Sequence, residues 1–235
     1  SLQINYKSDE IDQKTLNVEL QLPYVFGTPF GTALNLNIFK KDSSFTSVQQ
    51  NLKFYYGLSR SQKIGLGIRL QKSNKINDNS DLIVENFDSK FYGINYDYTK
   101  IQDFDNLFPV KSKLDVSISF GTRASLAKSN QRLIKINGYK IFNLNSKNSV
   151  FFKLFLEELK SEQYLLNELL RFGGIRSIRG FQENSLYATR LGVICSEYRY
   201  KLSPNIYTHS VLDAGYFQDI SRKDFEIFGL GFGLG

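Results

Sequence analysis

Apolar and polar residues alternate along most of the chain. Between 14 and 22, Leu16, Val18, Leu20 and Leu22 take one parity and Asn17, Glu19 and Gln21 the other. The same period of two sets Leu34, Leu36 and Ile38 against Asn35 and Asn37, and Ile64, Leu66, Ile68 and Leu70 against Gly65, Gly67, Arg69 and Gln71. It returns with Leu114, Val116, Ile118 and Phe120 against Asp115, Ser117 and Ser119, and with Phe228, Leu230, Phe232 and Leu234 against Gly229, Gly231 and Gly233. Successive side chains of a strand point to opposite faces, so each run predicts a strand with one apolar and one polar face.

The pattern predicts twelve strands, at about 2–7, 14–23, 32–41, 46–57, 62–72, 89–99, 111–122, 131–142, 149–160, 186–200, 205–218 and 225–235. Most have about ten residues, more than the roughly 5–6 of globular strands and close to the roughly 9–11 that cross a bilayer at a tilt. Connections between antiparallel neighbours alternate between the two ends of a sheet. One end takes 24–31, 58–61, 100–110, 143–148 and 201–204; the other takes 73–88 and 161–185, the longest of all. Short turns at one end and long loops at the other are the asymmetry of outer-membrane-type barrels, although 100–110 is long for its end. Glu19, Arg69, Asp97, Asp115, Glu197, Arg199 and Asp213 share the polar parity of their strands. In a barrel those faces line a wet lumen and the apolar faces meet lipid; in a soluble sandwich the roles reverse, and alternation alone does not separate the two.

Composition narrows the class. The chain of 235 residues holds 20 phenylalanines, 14 tyrosines and only four prolines, and all four prolines fall at predicted turns. That is the profile of an all-β protein. Mean hydropathy is −0.30, and no window approaches the roughly 18 uninterrupted apolar residues of a spanning helix. The charge of +7 is scattered through polar positions and loops, with no basic helix, zinc knuckle or aromatic RNA-binding motif, so no nucleic acid partner is expected. One cysteine, Cys195, and one histidine, His209, leave no disulfide framework and no Cys/His metal cluster. No nucleophile elbow of the GxSxG kind occurs and His209 has no evident nucleophile beside it; no catalytic residue and no cofactor is expected. The first residues, SLQINYK, already read as strand, with no signal peptide, so the chain is expected to start inside a larger protein.

One stretch does not fit a plain loop. Residues 171–190, RFGGIRSIRGFQENSLYATR, place three glycines, four arginines and two phenylalanines between strands. Gly173, Gly174 and Gly180 permit backbone angles that other residues avoid. Phe172, Ile175, Ile178 and Phe181 give the loop its own packing surface. A loop entering a lumen would bring Arg179 with it, and a buried guanidinium needs a carboxylate. Asp213 in VLDAGYF is the first candidate and Glu197 in SEYRY a weaker one, both on the polar parity.

The set FGGIRSIRGF, SLYATRLG, SEYRYKLSP and VLDAGYF, in this order over 171–217, resembles the C-terminal barrel of the BamA/TamA outer-membrane assembly superfamily. In that superfamily the sixth extracellular loop folds back into the barrel with a [V/I]RG[F/Y] signature, which Ile178, Arg179, Gly180 and Phe181 match. A second motif, an aspartate two residues before a glycine on a later strand, matches Asp213 and Gly215. The resemblance implies that Arg179 pairs with Asp213 on the inner wall. It implies an antiparallel transmembrane β-barrel in the outer membrane of a Gram-negative-type bacterium. Family barrels have sixteen strands behind periplasmic POTRA domains, whereas about twelve strands and no POTRA pattern are read here. The expectation is therefore one incomplete barrel domain over 1–235, with an in-folded loop at about 161–185 and the upstream domains and seam strands outside the chain. The implied role is assembly, insertion or translocation of proteins through a barrel seam. Expected partners are outer-membrane lipids, unfolded β-barrel or secreted protein substrates, and accessory periplasmic proteins or lipoproteins. The alternatives are a barrel anchoring an enzyme of the patatin-like lipase type and a two-partner secretion pore.

Overall fold

The computed structural model describes residues 1–8, 13–41, 44–76, 84–175, 177–219 and 225–235. The strands are β1 (Leu2–Ser8), β2 (Gln13–Leu22), β3 (Phe30–Lys41), β4 (Phe45–Gly57), β5 (Gln62–Lys75), β6 (Phe87–Ile101) and β7 (Val110–Ala124). They continue with β8 (Lys128–Asn143), β9 (Asn148–Ser161), β10 (Leu170–Phe172), β11 (Leu186–Ala188), β12 (Arg190–Ser203), β13 (Ile206–Asp219) and β14 (Phe225–Leu234). Twelve form one sheet in the order β1-β2-β3-β4-β5-β6-β7-β8-β9-β12-β13-β14, and β10 and β11 pair apart as a small hairpin. Every pair whose register is described runs antiparallel. Among the described residues no helix is long and apolar enough to cross a membrane.

Register turns the sequence alternation into faces. Leu20, Leu34, Leu52 and Ile68 lie opposite one another across β2 to β5. On the other face an amide row forms: Asn35 Nδ2 donates to Asn17 Oδ1 at 2.8 Å, Asn51 Nδ2 to Asn35 Oδ1 at 3.0 Å, and Arg69 Nη2 to Gln49 Oε1 at 2.7 Å. Burial is inverted relative to a soluble protein. Leu66 is 66% exposed and Phe120 62%, while Asp213 on the polar face is fully covered at 0%. Leu34, Phe54, Ile118, Leu154, Ile194 and Leu212 extend the open apolar face. Water does not tolerate a continuous apolar surface of this extent, whereas lipid does.

The inversion stops towards the ends of the strands that carry the long loops. There the outward positions become polar and exposed, at Lys72, Asn74, Asp88, Lys90, Lys128 and Asn130. The inward ones become apolar and buried, at Phe39, Phe45, Phe87 and Phe91. This explains a difference from the sequence reading. Strands expected to end at 72 and 122 run to Lys75 and Ala124, and those expected to begin at 89 and 131 begin at Phe87 and Lys128. The ladder continues beyond the apolar band, so its outward residues no longer signal a strand. The segment expected as one strand over 186–200 is likewise two. Leu186–Ala188 pairs with Leu170–Phe172, whereas Arg190 onwards pairs with β9 and β13, and the chain changes partner at Thr189. The in-folded loop expected over 161–185 therefore holds the first strand of a hairpin, whose second strand lies just past its expected end.

By packing, the chain forms two compact units. One comprises Ser1–Asn95, Ser117–Leu133 and Lys160–Leu169; the other comprises Tyr96–Val116, Ile134–Leu159 and Leu170–Gly235. In the first, Phe39, Phe45 and Val84 form a buried cluster with Leu166 packed against it. In the second, Phe172, Ile178, Leu191, Val193 and Phe217 are buried. Each unit thus contains an apolar patch on the otherwise polar face, and in each a segment of 160–185 lies on it.

The inverted faces yield a direct expectation. In phospholipid bilayers, Leu34→Lys lowers unfolding stability of the full-length protein by about 2–4 kcal/mol, whereas Asn37→Lys on the opposite face of the same strand costs under about 1 kcal/mol. Urea unfolding of the two variants side by side checks this.

Candidate functional site

The hairpin β10–β11 carries the loop tip. Gly173 and Gly174 follow β10 with φ of +110° and +86°, a region L-residues avoid, and turn the chain towards the tip. The Gly173 N–H donates to Ser177 Oγ at 2.8 Å, and the Ser177 carbonyl accepts from the Cys195 thiol of β12 at 3.0 Å. Phe172 meets Phe217 of β13 edge-on at 4.8 Å. These contacts fix the position from which residues 178–181 reach the wall.

Arg179 is the centre of the site. Its Nε donates to Asp213 Oδ2 at 2.8 Å and its Nη2 to Asp213 Oδ1 at 2.6 Å, a two-pronged match of guanidinium to carboxylate. The backbone N–H of Arg179 adds a third bond to Oδ2 at 2.9 Å, so Asp213 holds the main chain of the loop as well as the side chain. Nη1 pairs with Glu197 Oε1. Glu197 in turn accepts from Arg199 Nε at 2.8 Å. Two arginines and two carboxylates make a neutral quartet. The hydrogen bonds to Asp213 hold the Arg179 guanidinium above its ordinary pKa, so it stays charged.

Glycines on the wall make room for the tip. Ile178, 0% exposed, sits over Gly215 and Gly229, where an added Cβ would lie 3.1 and 3.0 Å from its Cδ1. At Gly229 the same Cβ would also meet the Phe181 ring at 3.2 Å. A side chain on Gly231 would collide with the Arg179 carbonyl. Gly180, exposed with φ +91°, turns the chain away directly after Arg179. Gly173, Gly174, Ile178, Arg179, Gly180, Phe181, Glu197, Asp213 and Gly215 are thus brought together in one place. Sequence reasoning left out Gly229 and Gly231, whose signal is the all-glycine parity of the last strand, and Arg199, which follows Glu197 on the same face. His209 lies apart from the tip's contacts and stacks on Tyr207 at 5.3 Å. Arg176 lies outside the described residues.

The earlier part of the loop has an anchor of its own, in the first unit. Arg123 of β7, 1% exposed, pairs with Glu168 and donates to the Gln163 carbonyl and to Ser129 Oγ, each at 3.1 Å. Glu168 also accepts from Gln131 Nε2 and from the Leu165 N–H, each at 2.9 Å. Burial pushes its carboxyl above the usual range, against the donors of Leu165, Gln131 and Arg123 that pull it down. Asn167 donates to Ser73 Oγ and to the Glu85 carbonyl, each at 2.8 Å. Arg123 continues the polar parity of Asp115, Ser117 and Ser119, one residue past the expected strand end. Glu168 gave no signal. Among the described residues no three metal-ligating side chains are grouped.

An antiparallel sheet with one open apolar face, and a long loop strapped to its polar face by paired arginines, has the architecture of the outer-membrane-type β-barrel class. The profile of the haemolysin secretion/activation protein family ShlB/FhaC/HecB matches residues 28–235. The chain belongs to that family. Among solved structures, it is similar to BamA from Haemophilus ducreyi lacking POTRA domains 1–3, with TM-score 0.69, 15% identity, and coverage of 94% of this chain and 52% of that one. It is also similar to CdiB from Acinetobacter baumannii, with TM-score 0.55, 14% identity, and coverage of 99% and 52%. At such identities the likeness is one of fold, and the chain spans about half the length of both. No curated protein sequence matches it significantly.

The two anchors differ from surface ion pairs in a measurable way. Glu168→Ala strands the buried Arg123 and costs up to about 3–5 kcal/mol, whereas Arg190→Ala, breaking a largely exposed pair with Glu158, costs under about 1 kcal/mol. Protease cleavage within 162–169 of the folded full-length protein rises for the first variant and not for the second.

Proposed function

We propose that this chain is the membrane-embedded barrel of an outer-membrane protein transporter that exports a secreted protein, with the segment from Glu162 to Thr189 as an internal brace. The observation that carries the reading is the fork of Arg179 on Asp213, reinforced by the Arg179 N–H on the same carboxylate. Three bonds to one fully covered aspartate hold the tip in a single position. The lock is nevertheless reversible. Asp213 is covered while the loop is docked; once the tip lifts, water reaches the carboxylate, and Arg199 stays with Glu197. Release therefore leaves no unpaired charge in a dry place, unlike the breaking of a core salt bridge. Membership of a haemolysin secretion/activation family supports export of a dedicated cargo.

A second reading is insertion of other barrels into the outer membrane, through a strand edge that pairs with an incoming β-segment. The fold likeness to BamA favours it. Under either reading the partners are outer-membrane lipids, a polypeptide substrate and accessory periplasmic proteins, and the barrel performs no covalent chemistry.

Deleting the full-length gene in its own cell separates the two. Export of a dedicated cargo predicts that one or a few secreted proteins vanish from the medium while the other outer-membrane barrels keep their abundance. A general fall in those barrels would overturn it in favour of insertion. Arg179→Ala, which removes the fork on Asp213 and the pair with Glu197, lowers release of the same cargo at least about threefold, while Arg190→Ala leaves it unchanged.

A further inference from the structure

The lock does not end at Glu197. Arg199, two residues further along β12 on the same face, is buried and donates to Glu197 Oε2 from Nε at 2.8 Å, with Nη2 2.7 Å from the same oxygen as an ion pair. Its guanidinium carbon lies 4.1 Å from the centre of the Phe151 ring and 4.4 Å from that of Phe108, with Tyr207 at 5.9 Å. A guanidinium lying over aromatic faces keeps its edge free to bond a carboxylate, so the rings orient it without competing for Glu197. Phe151 belongs to β9, a sheet neighbour of β12. Phe108 does not belong to a strand; it comes from the connection between β6 and β7.

That connection is built rather than loose. Asp105 Oδ1 accepts the N–H groups of Leu107 at 3.2 Å and Phe108 at 3.1 Å, and Lys201 of β12 reaches Oδ2 at 2.5 Å. Gln102 Nε2 donates to the Phe108 carbonyl at 2.6 Å, and Asn143 of β8 donates to Gln102 Oε1 at 3.0 Å. Phe108 also meets Tyr207 of β13 edge-on at 4.8 Å. The connection lies beside Lys201 and Tyr207, at the end of β12 remote from the loop. Phe104 on it is 76% exposed and Ile101, the last residue of β6 beside it, 63%, so this end presents an open apolar surface.

We infer that Arg199 is a positioning residue. Stacked on Phe108, it holds Glu197 in place for Arg179, so the 102–109 connection sets from the opposite end of the strand how firmly the loop tip is held. The inference rests on the brace reading above. Its physical content is a short series of contacts: connection to Phe108, Phe108 to Arg199, Arg199 to Glu197, Glu197 to Arg179. If Phe108 turns away, Arg199 keeps its charge but loses one of its two close aromatic faces, and the Glu197 carboxylate loses its fixed orientation. The Asp213 fork remains, so the hold on the tip weakens without vanishing. Whatever displaces the 102–109 connection primes the loop for release.

Cys195 reports the state of the tip. It is the single cysteine of the chain, it is buried, and its thiol donates to the Ser177 carbonyl of the docked loop at 3.0 Å. The experiment is maleimide labelling of Cys195 in the full-length protein, in membranes, with any thiol outside this chain removed. Phe108→Leu and Arg199→Gln each speed labelling about tenfold, the scale of one charge-assisted hydrogen bond, while Phe108→Tyr, which keeps the ring, labels at the parent rate. Heat-modifiable gel migration confirms that each barrel is folded; if Arg199→Gln does not fold, Phe108→Leu, which leaves every charge in place, carries the test alone. Parent-like labelling of Phe108→Leu beside fast labelling of Arg179→Ala would overturn the inference and leave the brace standing. Slow labelling of Arg179→Ala itself would overturn the brace.

Discussion

A guanidinium carried under a loop must find carboxylate there, and the position of Arg179 follows from that requirement. Asp213 supplies both oxygens to its fork and to its backbone N–H, and Glu197 takes the remaining edge. The local features around the pair are those that permit it. Gly180 lets the chain turn away after Arg179, Gly215 and Gly229 receive Ile178, and Gly231 leaves room for the Arg179 carbonyl. Replacing any of these with a larger residue would move the guanidinium relative to its partner, and a fork of this kind has little tolerance for displacement.

The sheet explains why such a loop exists at all. Over most of their length the strands turn Leu, Ile and Phe outward and Asn, Gln and charged residues inward, as a wall between lipid and water does. Towards the long-loop ends the order reverts, with phenylalanines inward and lysines and aspartates outward. Apolar residues on the inner side need a cover. In one unit Leu166 supplies it beside the Arg123–Glu168 anchor; in the other Phe172 and Ile178 supply it beside the Arg179 lock. The first anchor is dry, with both side chains almost fully buried, and the second is wetter, with Arg179 20% exposed. Breaking a dry pair is the costlier event, so the tip is the part of the loop better suited to let go.

Much of this was legible in the sequence because a period of two is hard to mistake when it recurs twelve times. The twelve strands of the main sheet and the polar faces follow from it, and the need to pair a charge leads from Arg179 to Asp213 and Glu197, between which only the resemblance chooses. What escaped has physical causes. Strand ends beyond the apolar band carry ordinary polar alternation, so Arg123 fell just outside the expected β7. The hairpin of Leu170–Phe172 with Leu186–Ala188 rests on three pairs across a long separation, which no local pattern announces. Arg199 was visible as a lumen-facing residue, yet its aromatic sandwich depends on Phe108 from a connection 91 positions away, a tertiary fact.

The account depends most directly on Arg179 and Asp213 acting as one unit. A double-mutant cycle with Arg179→Ala, Asp213→Ala and both together, read by urea unfolding of the full-length protein in bilayers, measures this. Coupling of about 1–3 kcal/mol, with the double variant no less stable than the worse single one, is the predicted result. Effects that simply add, with coupling below about 0.5 kcal/mol, would contradict it.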